Sequence, residues 1–139
     1  MNNRVLFHNT DTRYVIPNKK IIRNKISQLI HLEGFALSHI NIIICSDNYL
    51  LKINKEHLGH NYFTDVITFD LSDSSKEIEG DIYISIDRIK ENKKRFSSAL
   101  FVELQRVIIH GVLHLIGYKD QTEKDISIMR EKENTYLNY

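Results

Sequence analysis

An α+β fold, with a small mixed sheet of about four strands packed against about five helices, is what the sequence predicts. Short β-branched apolar runs alternate along the chain with longer segments of helical apolar period. One proline and five glycines leave little room for linkers or disorder. At 139 residues the chain is one ordinary domain, 1–139, long enough to bury a real core.

The elements follow in order. Residues 4–7 read as a short first strand. Ile21, Ile22, Ile26, Leu29 and Ile30 fall at helical spacing over 18–33, with Pro17 suited to the first turn and Gly34 to the stop. Residues 40–45 form a β-branched run typical of a buried strand. Ser46 or Asp47 caps a short helix carrying Leu50, Leu51 and Ile53. Residues 58–63 are a loop around Gly59, and 64–69 alternate polar and apolar like a strand. The polar stretch 72–79 is expected to be a mobile connection before a strand at 82–84. Ser85 caps a helix over 87–95, and a strongly apolar helix spans 100–116, ended by Gly117. Thr122 and Asp125 form a capping box for a last helix, with Ile126 and Met129 on its inner face.

Composition narrows the function classes. Hydrophobic residues make up 42% and charged residues 27%, the balance of a soluble globular protein. The lone cysteine, Cys45, ends the run Ile42-Ile43-Ile44 and reads as a small core residue; it excludes an internal disulfide and a Cys-based zinc finger. No signal peptide and no bilayer-length apolar stretch are visible, so a cytoplasmic protein without membrane partners is expected. A net charge of +1 neither demands nor excludes a polyanion, so any nucleic-acid affinity must come from local patches. Arg88, Lys90, Lys93, Lys94 and Arg95 form one basic group, and Lys19, Lys20, Arg23 and Lys25 another; each reads first as the solvated face of a helix.

The chemistry concentrates in His110-Gly111-Val112-Leu113-His114. Residues four apart on a helix share a face, so the two imidazoles can grip one metal ion, as in zinc hydrolases of the His-Glu-x-x-His type. Gly111 stands where those enzymes carry their glutamate base, so the metalloprotease reading fails there. The surrounding Val107, Ile108, Ile109, Val112, Leu113, Leu115 and Ile116 bury the helix, and buried imidazoles need partners. Gly111 costs about 1 kcal/mol in mid-helix, which implies a close approach by a ligand or tight packing on a strand. Asp120, beyond the Gly117 break, either reaches the ion as third ligand or caps the last helix. Glu103, seven residues before His110, either orients that histidine or is an exposed acid.

The block from His110 to Tyr118 resembles the signature of the YbeY family, metal-dependent endoribonucleases of ribosomal RNA maturation. Ile53-Asn54, Thr64-Asp65-Val66-Ile67-Thr68-Phe69 and Gly80-Asp81-Ile82-Tyr83-Ile84-Ser85 resemble other family blocks, in family order. The resemblance implies a single-strand-specific endoribonuclease of ribosome biogenesis and quality control. It implies one Zn²⁺, or another divalent metal, on His110, His114 and Asp120. Its partners would be precursor ribosomal RNA and the small ribosomal subunit or assembly factors, with no DNA expected. Two departures stand out. Asp120 occupies the place of a family histidine ligand, which lowers the site's charge by one and favours harder cations somewhat. Leu58 occupies the place of a family arginine that assists catalysis.

Phosphodiester cleavage needs charge neutralisation at the phosphoryl oxygens, which a bound cation, Lys119 and His60 would supply beside His110 and His114. His57 and Lys55 are further donors near Leu58. Tyr62 and Tyr118 are either base-stacking rings or packing residues. Two other readings compete: a metallohydrolase acting on another substrate, and a non-catalytic RNA-binding or assembly factor stabilised by its metal.

Overall fold

The computed structural model describes residues 4–96 and 98–139. Its elements run β1 (Val5–Asn9), α1 (Lys19–Leu32), β2 (Ala36–Cys45), α2 (Asp47–Leu58), β3 (Val66–Asp70), β4 (Glu77–Ser85), α3 (Ile86–Phe96), α4 (Leu100–Ile116) and α5 (Glu123–Leu137). The sheet order is β1-β2-β4-β3. β1 and β4 flank β2 in parallel, and β3 runs antiparallel to β4 at the edge. The expected mixed α+β sheet is present.

Alternation along the strands sorts side chains to the two faces. Ile40, Ile42 and Ile44 of β2 and Ile78, Ile82 and Ile84 of β4 join the main core with Ile22, Ile26, Leu29 and Ile30 of α1 and the apolar side of α4. On the other face Cys45 and Ile67 pack with Leu50 of α2, beside Tyr49, Ile53, Phe69 and Tyr83. With both faces covered, β2 needs the continuous apolar run seen in its sequence. α4 is central: it packs on β3 and β4 and against α1, α3 and α5.

Several boundaries differ from the sequence reading for identifiable reasons. β4 begins at Glu77, because Ile78 is buried and its segment pairs with Leu37 of β2; only 71–76 remain as a connection. β3 begins at Val66, leaving Thr64 and Asp65 in the preceding loop. Pro17 lies outside α1, whose cap is Asn18 in the left-handed conformation. Ser46 is the α2 cap, accepting from the Tyr49 N–H at 3.1 Å. Asp47 instead binds Ser85 Oγ at 2.6 Å and Arg88 Nε at 3.1 Å, tying α2 to the start of α3. The capping box of Thr122 and Asp125 forms on α5. Met129 is buried as expected, but Ile126 is half exposed, because the start of α5 stands away from α4 along a cavity. No single helix among the described residues is long and apolar enough to cross a membrane.

Gly111 sits where α4 crosses the sheet. A Cβ there would lie 2.9 Å from Ile82 Cγ2 and 3.4 Å from Thr68 Cγ2. Of its two sequence readings, tight packing on the strands is the one present.

A candidate metal centre at the end of the central helix

The last two turns of α4 carry His110 and His114 on one face, with ring centroids 4.5 Å apart. Gly117 ends the helix at φ 124°, a conformation that side chains rarely adopt, and its N–H returns to the Leu113 carbonyl. The chain then folds back. The Tyr118 carbonyl meets His114 Nδ1 at 3.0 Å, and Asp120 comes over the pair.

The proton positions follow from the partners. A carbonyl only accepts, so His114 Nδ1 donates to Tyr118. His110 Nδ1 lies 2.7 Å from Glu133 Oε2 and donates to that carboxylate. With Nδ1 as donor, the neutral form of each ring presents a lone pair on Nε2. Those two nitrogens are 3.0 Å apart, and Asp120 Oδ2 lies 3.3 Å from one and 3.2 Å from the other. Three electron-pair donors this close repel unless a positive charge lies among them. Ligands at about 2.0–2.1 Å around a tetrahedral zinc are about 3.3 Å from one another. His110, His114 and Asp120 thus fit the donor set of a divalent ion, and they are the one such group among the described residues.

Glu133 was not singled out from the sequence. It lies on the buried face of α5, four residues after Met129, and is only 5% exposed. That spacing was the available signal: a buried acid at an inward position needs a cationic or donor partner. Besides His110 it accepts from Arg106 Nη1 at 3.1 Å. Burial pushes its carboxyl up, but the His110 hydrogen bond and the Arg106 guanidinium outweigh that and hold it below the usual range. Burial likewise pushes the His110 imidazole down, and Glu133, Asp65 and Asp120 more than reverse it. Glu103 takes no part in orienting His110. It is buried and accepts from Ser98 Oγ at 2.7 Å.

Two cavities meet at this centre. The larger, about 630 Å³, runs between α4 and α5 past Val102, Arg106, Ile126 and Arg130. The smaller, about 260 Å³, is walled by Leu58, His60, Tyr62 and Thr64. Asp65, Val66, His110 and Asp120 line both and His114 lines the smaller, so the donors sit where the two cavities meet. Burial raises the Asp65 carboxyl, against the opposing pull of His110.

The remaining candidates are placed unevenly. His60 lines the smaller cavity, its Nδ1 3.0 Å from the Tyr62 hydroxyl. Lys119 is exposed and lines neither cavity. His57 packs edge-on against Phe69, and Lys55 is exposed outside both cavities. Tyr118 is a packing residue, since its hydroxyl donates to Glu33 at 2.5 Å. Of the basic groups, Arg23 lies over the Phe7 ring and Lys25 donates to the Leu137 carbonyl, while Arg88 is paired with Asp47. Lys90, Lys93 and Lys94 are exposed on α3.

Fold and site together define an α+β protein in which three side chains that could hold a metal ion face a cleft. Residues 7–139 match the family model described as endoribonuclease YbeY. A protein of that description from Cytophaga hutchinsonii is 44% identical over 133 residues, 96% of this chain and 93% of the relative. One from Flavobacterium psychrophilum is 50% identical over 114 residues, covering 82% and 81%. The solution structure of a Thermotoga maritima protein, 27% identical, superposes with a TM-score of 0.66 over 96% of this chain and 87% of its own. The chain belongs to the YbeY endoribonuclease family.

Proposed function

We propose that this chain is a metal-dependent endoribonuclease, cutting single-stranded RNA in ribosomal RNA maturation and ribosome quality control in the cytoplasm, with zinc as its ion. Family membership supports the reaction class. The observation that carries the metal dependence is the convergence of His110 Nε2, His114 Nε2 and Asp120 Oδ2 with both Nδ1 atoms tied to acceptors.

When bound, a divalent ion supplies Lewis acidity at the phosphate and lowers the pKa of a coordinated water. The chain's own residues do the rest. Glu133 and the Tyr118 carbonyl hold the two rings with their lone pairs turned inward. Asp120 adds a negative charge that strengthens cation binding. Asp65, the carboxylate outside the trio that lines both cavities, is assigned the acceptance of a proton from attacking water. His60, which lines the smaller cavity with the donors, is assigned a donor role at the phosphoryl oxygens, and Lys119 adds positive charge next to Asp120 in the chain. A cleft that continues to both sides of the centre suits cleavage within a strand. Its open sides also favour the catalytic role over a purely structural metal, which needs a closed shell of protein ligands.

The test is metal content and RNA cleavage of the wild type beside His114→Ala and Asp65→Asn. Wild type is expected to bind about one ion per chain, His114→Ala to lose it together with cleavage, and Asp65→Asn to keep the ion while turnover falls. Cleavage that survives His110→Ala/His114→Ala, or chelation, refutes the proposal.

A further inference from the structure

We propose that the smaller arm of the cleft is a nucleobase subsite, in which one unpaired base of the RNA substrate stacks on Tyr62 against the aliphatic wall of Leu58. The inference rests on the endoribonuclease reading and extends it to what the site recognises.

Tyr62 is 57% exposed and Leu58 44%, although both line a cavity that reaches the donor trio. Exposed apolar side chains scattered singly need no explanation, but these two converge on one concave surface. Tyr62 is also held in place. Its ring stacks on His60 with centroids 5.2 Å apart and planes at 18°, and its hydroxyl meets His60 Nδ1. Its carbonyl accepts from Asn54 Nδ2 at 2.9 Å, and the Asn54 carbonyl accepts from the His60 N–H at 3.1 Å. Asn54 is 2% exposed, so one buried residue fixes the loop to α2 twice, through its side-chain amide and its backbone carbonyl. The result is a preorganised aromatic surface with one wall open, and little ordering entropy remains to be lost on binding.

The chemistry of this arm selects the occupant. Leu58 and Tyr62 bring exposed aliphatic and aromatic surface to this arm, so recognition here falls to stacking. Aromatic rings accept any unstacked base through its π-face, whereas a base already stacked within a duplex has no face to offer. A single-strand preference follows from the shape of this arm, together with weak discrimination among base identities. Asp65, His110 and Asp120 line the same cavity, which puts the subsite beside the scissile phosphate.

The sequence contains no tryptophan, so Tyr62→Trp gives a unique fluorescent reporter. In the zinc-loaded full chain, a single-stranded oligoribonucleotide of about eight nucleotides is expected to quench that emission, and the same sequence in a duplex to leave it unchanged. Tyr62→Ala is expected to raise KM for the single strand by about five- to a hundredfold, with zinc content retained and kcat moved far less; Tyr62→Phe, which keeps the stacking ring but loses the hydroxyl bond to His60, is expected to recover most of that KM. Unquenched emission, or a wild-type KM in Tyr62→Ala, overturns the subsite. Quenching by a wild-type-like fold that cleaves no RNA supports the subsite while refuting the hydrolytic reading; cleavage without quenching does the reverse.

Discussion

Replacing Glu133 by glutamine tests the centre through a residue that touches no ion. The side chain is 5% exposed and accepts from His110 Nδ1 at 2.7 Å and Arg106 Nη1 at 3.1 Å. Glutamine keeps the volume and offers His110 one neutral acceptor, but it removes the charge that makes the ring a stronger donor to a cation. Loss of such an outer partner typically weakens metal affinity about 10–100-fold, or about 1.4–2.7 kcal/mol. Arg106 is also left without its carboxylate, and breaking a buried ion pair costs about 3–5 kcal/mol; its partial exposure of 24% puts the expected loss at or below the lower end. The two effects separate in thermal melts with and without zinc. At a free ion concentration a hundred times the wild-type Kd, zinc adds about 2.7 kcal/mol to the wild type and, for a tenfold weaker site, about 1.4 kcal/mol to the variant. Glu103→Gln is the control, because that equally buried acid faces Ser98, and its zinc increment is expected to match wild type. An unchanged zinc increment in Glu133→Gln, or an equal loss in the control, refutes the orienting role.

Three more outcomes are expected. Gly111→Val drives side-chain atoms into Ile82 and Thr68 and should destabilise the fold by at least about 2 kcal/mol, read as a lower urea midpoint; wild-type stability would show that the helix and sheet can part without cost. Glu33 ties the end of α1 to α5, accepting from Tyr118, Lys132 and Tyr136. Burial raises its carboxyl, but these partners together bring it below its ordinary value of 4.5. A depressed folded pKa means stability present above 4.5 and lost as pH falls through the folded value. Glu33→Gln should therefore melt lower than wild type at neutral pH, with the gap closing in acid; a gap constant with pH contradicts the assignment. Cys45 is fully buried and its thiol is pushed up to about 12, by burial first and then by Asp11 and Asp47, so it should react with thiol reagents only as fast as the chain unfolds; rapid labelling of the native protein would contradict its place in the core.

What the sequence determined by itself was governed by neighbours within a turn or two. The His110–His114 pair, the stop at Gly117, the capping box at Thr122 and the buried run of β2 are short-range patterns, set by helical period, backbone sterics and local hydrogen bonds. Glu103 shows where such reasoning ends. Seven residues put it on the face of His110 but about 10.5 Å along the helix, out of reach of the ring. The residue that does hold His110 is Glu133, twenty-three positions away on another helix, and its role depends on how α5 packs against α4. The sheet order, which inserts β4 between β2 and β3, and the meeting of Asp65 with the donor trio at one cleft are of the same kind. Local periodicity carries no information on which distant surfaces pair, so only the tertiary structure could decide them.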